Sequence, residues 1–335
     1  MRNKRILIAA PLFLEWDLGS YLLSIFGSKD IECDTFAYQP FKSVSESERE
    51  LLKKVEESKP DIVIGLKLDR IGAGALRAIK SMGVFVALWY VDCVDDKVPD
   101  WIKPLHKEAD VFFTTARGML IKYREVSDTP SYWLYEGAHL SAFPLSGHDG
   151  NPKRIFRSEV AFVGSIYYYD EYGGVVTRRE RFLKEVSERF DLKIWGPQGV
   201  RDAKERWGAD YPAVEWPAYN GELVKVCGGA GIVLGTNTTN SVERYFSNRT
   251  FITLAAGGFH LTHYVPGLET MFENRKHLVW YHTEEECFRL IDYYLKRPGL
   301  RRKIALEGRT WVRRRYSMKR QVNKMLRIIE GHYGS

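Results

Sequence analysis

Short apolar runs separated by amphipathic stretches organise this chain from end to end. Over residues 1–137 the runs are Arg5–Ala10, Glu32–Tyr38, Asp61–Leu66, Val84–Val91, Val111–Thr115 and Ser131–Tyr135. Runs of this length without strict alternation predict strands buried on both faces, as in a parallel sheet. Helical periodicity fills the gaps. Asp17–Phe26 gathers Leu18, Tyr21, Leu22 and Ile25 on one face, and Ser45–Ser58, Gly72–Met82 and Val98–Glu108 follow. Ser45 with Glu48 three residues on has the spacing of a capping box.

A stretch rich in Pro, Gly, Ser, Asn and Asp, residues 141–157, interrupts the pattern and reads as a linker. Alternation then restarts with strands at Glu159–Gly164, Leu192–Trp195, Val214–Trp216, Gly231–Gly235, Phe259–Thr262 and Leu278–Tyr281. The intervening helices are Thr177–Phe190, Arg249–Ala256 and Thr283–Lys296, the last with a Thr283/Glu286 capping box, and helical sequence runs from Gly299 to Ile329. The expectation is an α/β chain of two doubly wound Rossmann-like domains facing across a cleft. The boundaries are residues 1–140, a linker at 141–157, a second domain at 158–315, and a last helix, 316–335, returning to the first domain.

Composition narrows the class. The 335 residues are 44% hydrophobic and 13% aromatic, enough for two cores. No apolar run reaches the length of a membrane-spanning helix. Ile6–Leu14 follows basic residues but carries Pro11, and reads as a first strand rather than a leader. Cys33, Cys93, Cys227 and Cys287 form no C-x-x-C pair, so reduced thiols in a cytoplasmic protein are expected. Net charge is +7, and from Arg297 to Arg327 many Lys and Arg face a single acid, Glu307. Such a surface suits nucleic acid, an acidic lipid surface or a nucleotide, or is a solvated helix face. No G-x-G-x-x-G follows any strand, which argues against a dinucleotide enzyme.

Candidate chemistry concentrates in the second half. A polar loop, Thr236–Ser247, enters the helix opened by Arg249, with Arg244 nearby. Helix-start N–H groups beside guanidinium groups suit a phosphate. Gly257 and Gly258 end that helix and allow close backbone approach. Phe162-Val163-Gly164-Ser165 is a strand running into a small-residue turn, with Arg178 or Arg179 opening the next helix. Trp195-Gly196-Pro197 offers a stacking face or a core residue. In the first half Glu15 and Asp17 sit at a strand-to-helix turn, and Asp17 is the first candidate for a proton-accepting base, with helix capping as the plainer role. Asp92, Asp95 and Asp96 follow the fourth strand, and His139 lies near the domain junction.

The order of residues from 248 to 281 resembles the CgeB-like group of glycosyltransferases, named after a spore maturation protein and built on the GT-B architecture. Arg249, Thr250, Phe251, Ala255, Gly257, Gly258, Phe259, Leu261, Thr262, Pro266, Leu268, Glu269, Phe272 and Tyr281 match its pattern. Ile252 stands where that family usually has a ribose-gripping Glu; either Glu243, Glu269 or backbone groups hold the ribose, or the donor nucleotide differs, or donor binding is lost. The resemblance implies a nucleotide-sugar donor, most simply a UDP-sugar, held by Gly164, Ser165, Arg178, Trp195, Arg244, Asn248, Arg249, Thr250, Gly257, Gly258 and Glu269, without a metal. Asp92 and His139 fall to the acceptor side. A glycan or protein acceptor is the default. A modified DNA base, or a catalytically silent nucleotide-sugar or glycan binder, is the alternative.

Overall fold

The computed structural model describes residues 4–144, 153–166, 168–169, 175–176, 178–196, 200–208, 210–214 and 218–333. Residues 145–152 of the expected linker, Thr177, Pro197 and Trp216 lie outside the described residues. The chain divides into two compact units: residues 1–136 with 242–245 and 319–335, and residues 137–241 with 246–318.

The first unit holds β1 (Ile6–Ala10), α1 (Leu18–Gly27), β2 (Cys33–Ala37), α2 (Val44–Ser58), β3 (Ile62–Leu66), α3 (Ala73–Ser81), β4 (Phe85–Tyr90), α4 (Ile102–Glu108), β5 (Val111–Thr114), α5 (Leu120–Val126) and β6 (Ser131–Trp133). Its six strands pair in the order β2-β1-β3-β4-β5-β6, all in parallel. β1 and β3 are buried along their whole length, as expected for strands covered by helices on both faces. Two distant segments complete this unit. Val242 and Tyr245 join its core, and the Gly118 N–H donates to the Glu243 carbonyl at 3.0 Å. The last helix contributes His332, 2.7 Å from the Tyr132 hydroxyl, and Tyr333, packed on Phe85.

The cap of α2 differs from the expected one. Ser43, not Ser45, is the N-cap and accepts from Glu46 N, while Glu46 accepts from Lys42 N at 2.8 Å. Ser-x-x-Glu recurs two residues apart in this sequence, and Val44 opens the helix, so the earlier frame is used. Glu48 instead accepts the Gly72 N–H at 2.7 Å, tying α2 to the start of α3.

The second unit holds β7 (Ser158–Val163), the short antiparallel pair β8 (Tyr168–Tyr169) and β9 (Val175–Val176), α6 (Arg178–Ser187), β10 (Leu192–Trp195), α7 (Val200–Trp207), β11 (Ala213–Val214), α8 (Asn220–Gly229), β12 (Ala230–Gly235), α9 (Arg249–Ala255), β13 (His260–His263), β14 (Val279–Tyr281), α10 (Glu284–Leu295) and α11 (Pro298–Arg315). Its parallel strands run β11-β10-β7-β12-β13-β14. Counted within the unit this is the 3-2-1-4-5-6 order of a doubly wound nucleotide fold, with its switch point between β7 and β12. Thr283 caps α10 as its spacing predicts, accepting from Glu286 N at 3.1 Å. The C-terminal helical sequence is broken after Arg315. The Ala138 N–H donates to the Tyr316 carbonyl, and the Met318 N–H to the Ala138 carbonyl, both at 2.9 Å, before α12 (Met318–His332) begins.

A buried polar knot lies in the first unit. His106 is fully buried, with Nδ1 2.9 Å from the Ser127 hydroxyl and Nε2 2.9 Å from that of Ser131. Ser131 donates its own proton to the Thr129 carbonyl, so Nε2–H is the donor and Nδ1 accepts from Ser127. The ring is therefore neutral, and burial lowers its pKa from 6.5 to about 4. The unfolded chain binds this proton more readily, so the contribution is present above about pH 6.5 and is lost as pH falls toward 4. We expect the stability difference between wild type and His106→Gln, by urea unfolding, to shrink by up to about 1.4 kcal/mol per pH unit across that window. A difference independent of pH would refute the neutral-ring assignment.

Candidate functional site

The carboxyl ends of β7 and β12 leave the second sheet side by side, and their crossovers diverge: α6 leads to β10 and α9 to β13. No helix of the crossover pair can cover the gap between strands that part in this way, so the terminal carbonyls need other donors. Two arginines provide them. Arg249 donates through Nε to the Val163 carbonyl and through a terminal nitrogen to the Thr236 carbonyl at 3.1 Å. Arg179, from the first turn of α6, donates to the Ser165 carbonyl at 2.9 Å and to that of Thr236 at 3.4 Å. Both guanidinium groups lie over the Phe162 ring, at 4.6 Å and 5.8 Å from its centroid, a cation–π arrangement that steadies buried charge.

Gly164 is forced by this packing. Its φ is +136°, and a Cβ there would meet a terminal nitrogen of Arg249 at 2.0 Å. Its N–H donates to the Trp195 carbonyl at 3.0 Å. Gly196 stands opposite, where a Cβ would lie 2.0 Å from the Gly164 carbonyl oxygen.

The structure redistributes several sequence-predicted residues. Gly164, Ser165, Arg178, Asn248, Arg249 and Thr250 do gather at this carboxyl edge. Arg178 is exposed and Thr250 is buried. The first N–H groups of α9 are not bare: Arg249 N is bonded to the Ser247 hydroxyl at 3.3 Å and Thr250 N to the Ser247 carbonyl at 3.0 Å. The seven-residue α9 is thus closed at its start, and the charge of the site comes from guanidinium groups. Gly257 and Gly258 lie at the amino edge of β13, the opposite edge of the sheet. Their N–H groups bond Leu254 and Thr253 carbonyls and end the helix, so theirs is a capping role. Trp195 is 1% exposed and stacked on Phe156 at 5.4 Å, a core residue rather than an open stacking face. Glu269 is exposed on the loop after β13 and accepts from the Tyr264 hydroxyl at 2.9 Å. Arg244 belongs to the first unit, with φ +50° and its guanidinium 5.3 Å from the Trp133 ring centroid. The turn before α9 sends Val242–Tyr245 into the first core, which sequence spacing does not reveal.

Arg179 is the switch-point arginine that the sequence presents only as one of a pair. Arg178-Arg179 reads as two equivalent cations, and only the helix phase buries the second. At the same sheet edge His263 is half-buried, with Nδ1 2.7 Å from the Tyr264 carbonyl. Desolvation lowers its pKa despite that contact.

In the first unit Asp17 is the N-cap of α1. One carboxylate oxygen takes the Leu14 N–H at 2.6 Å and the other the Ser20 N–H at 2.8 Å. Both oxygens are engaged, which weakens it as a base, and its neighbour Glu15 is exposed. The acidic run after β4 is dispersed: Asp92 pairs with Lys67 at 2.9 Å and Asp96 with Lys122 at 3.3 Å, while Asp95 caps the Lys97 N–H at 2.8 Å. Among the described residues no group of three His, Cys, Asp or Glu side chains is placed to hold a metal ion. Glu136, after β6, went unremarked in the sequence. It is half-buried, and desolvation, with Asp92 beside it, pushes its carboxyl up to about 8. Only folding brings the ends of β4 and β6 together, so no local signal marks it. His139 lies in the second unit, 3.2 Å from the Ser141 hydroxyl, with its pKa lowered by desolvation.

A glycosyl transferase-like family matches residues 178–327, which include Arg179, Arg249 and Glu269. No curated protein matches the chain by sequence. Solved structures match the whole length at low identity. HepE of Anabaena, crystallised with UDP and glucose, is 10% identical with a TM-score of 0.67, covering 98% of this chain and 100% of its own. Sucrose-phosphate synthase of Thermosynechococcus elongatus is 11% identical with a TM-score of 0.73, covering 98% and 99%. MnaA of S. aureus, solved with UDP, is 10% identical with a TM-score of 0.62, covering 98% and 96%. The fold is therefore the GT-B type, two parallel-sheet Rossmann-like units. The glycosyl transferase-like match spans most of the second unit and runs into the last helix.

The packing predicts a contrast between glycines. Gly164→Ala should cost about 3 kcal/mol or more, combining overpacking with a left-handed φ. Gly299, in α11 with open space around it, should gain roughly 0.5–1 kcal/mol on replacement by Ala. Chemical denaturation of the two variants reads both; a mild effect at Gly164 would refute the clasp.

Proposed function

We propose that this chain is a glycosyltransferase that takes its sugar from a UDP-sugar and binds the donor at the carboxyl edge of the second sheet, at the β7–β12 switch point. The observation that carries this reading is the convergence of Arg179 and Arg249 on the Thr236 carbonyl beside the left-handed Gly164. A guanidinium has five N–H donors. A planar fork of this kind can hold backbone carbonyls and also contact a phosphate. Fixed positive charge where negative charge develops on a leaving diphosphate stabilises the transition state without a metal. The presence of UDP in the Anabaena and S. aureus relatives supports this nucleotide as the first probe.

For the ribose, Glu269 is our substitute for the residue replaced by Ile252. It lies on the loop leaving β13 at the carboxyl edge. Glu243, the other carboxylate considered, belongs to the first unit and pairs with Arg117 there. Glycan or protein is the acceptor class we favour, because Arg301, Arg309 and Arg313 of the basic C-terminal segment are engaged by backbone carbonyls.

UDP should bind the protein in calorimetry. Arg249→Ala should weaken it by roughly 1.5–3 kcal/mol, the range for a hydrogen bond to a charged group, and UDP-glucose turnover should survive EDTA. No UDP binding by wild type, or unchanged affinity in Arg249→Ala, would overturn the donor site. Loss of turnover with EDTA and its return with Mg²⁺ would overturn the metal-free reading.

For the proton of the acceptor, Glu136 takes the place of Asp17 in our reading. A carboxyl with a pKa of about 8 is mostly protonated at pH 7 and becomes a base as pH rises. Turnover should climb with pH toward that value. Glu136→Gln should lower kcat by about 10²–10⁴-fold, the usual contribution of a general base, with UDP affinity unchanged. A flat profile, or full kcat in the variant, would assign the base elsewhere.

A further inference from the structure

The basic C-terminal segment shrinks sharply once its partners are counted. Arg301 donates to the Tyr294 and Leu295 carbonyls, Arg309 to the Pro144 carbonyl and Arg313 to that of Phe143. Arg315 lies 4.1 Å above the Trp311 ring. Arg301, Arg309 and Arg313 tie α11 to other segments of the second unit, while the exposed Arg315 packs on its own helix. What remains on the solvent side of α11 is a narrow strip. Arg302, Leu306, Thr310 and Arg314 fall four apart, so they form one row along the helix, and Leu300, Lys303 and Glu307 form the row beside it. All seven are exposed; Leu306 is 64% exposed and Leu300 36%.

Three cations against one acid call for an anionic partner. The leucines decide which kind. A nucleic-acid backbone offers phosphates to the cations and nothing to cover Leu306 in the middle of the strip. A bilayer surface offers both: headgroup charge for Arg302, Lys303 and Arg314, and an acyl boundary for the leucines between them. A helix with cations flanking apolar residues on its outer face lies in the plane of such an interface, and no helix among the described residues is long and apolar enough to cross a membrane.

We propose that the outer face of α11 docks the protein peripherally on anionic phospholipid, with Leu306 and Leu300 entering the headgroup region. The test is sedimentation with vesicles of phosphatidylglycerol mixed into phosphatidylcholine, against phosphatidylcholine alone. Binding should require phosphatidylglycerol and fall with salt. Each surface cation contributes about fivefold near an anionic membrane, so Arg302→Ala/Lys303→Ala/Arg314→Ala should bind about a hundredfold more weakly. Leu306→Asn leaves the charge unchanged and should still weaken binding several-fold. Unfolding midpoints close to wild type establish that the variants are folded, independently of any UDP binding. Three results would overturn the proposal. One is vesicle binding that ignores Leu306→Asn. Another is tighter binding to duplex DNA than to vesicles. The third is concentration-dependent self-association lost in Leu306→Asn, which would mean that a second copy covers the face.

Discussion

One carbonyl oxygen organises the second unit. Thr236 O ends β12 and receives both Arg179, from the helix after β7, and Arg249, from the helix after β12. In a doubly wound sheet the two helices at the switch point leave in opposite directions, so the strand ends between them lose the cover that every other strand has. Unpaired terminal carbonyls in that gap are costly. Here each diverging helix sends a guanidinium back across the gap, and the Phe162 ring supports both charges from below. Gly164 and Gly196 follow from this arrangement, since a Cβ at either would collide with it.

The fold was largely legible because parallel strands covered on both faces leave continuous apolar runs, as β1, β3, β4 and β5 do, while the edge strands β2 and β6 are only partly buried. The elements that escaped were those whose pattern is mixed. α8 begins with Asn-Gly and ends with Gly-Gly, turn signals at both ends of a helix held by Leu223, Val224, Val226 and Cys227. The frame of the α2 cap was misread because three Ser-x-x-Glu frames overlap there, and only the bond of Glu46 N to Ser43 and the contact of Glu48 with Gly72 separate them. In the site, Gly164 and Arg249 were legible as a small-residue turn and a cation opening a helix. Trp195 lies in a core and Arg244 in the first unit for a common reason. Each lies in sequence beside the switch-point motifs, but the backbone turns its side chain into a core or into the other unit, and proximity along the chain carries no information about that turn.

The same limit explains the basic tail. Composition counts charges and cannot tell a guanidinium that closes backbone carbonyls from one that faces water. Arginine serves the first role well because its planar fork bonds carbonyl oxygens while its charge stays weakly hydrated. Arg301, Arg309 and Arg313 are of this kind, as are Arg179 and Arg249.

This double use of arginine bears on the proposed donor edge. Arg179 and Arg249 are held by Val163, Ser165 and Thr236 before any ligand arrives. Their rotamer freedom is already lost in folding, so an anion that reaches them does not have to order two long side chains. Preorganised charge of this sort favours the state in which negative charge is greatest, which in sugar transfer is the departing diphosphate. It also means that removing either arginine acts twice, once on the anion and once on the strand ends it closes. Comparing the lost affinity for UDP with the lost folding stability of the same variant separates the two, because only the second persists without ligand.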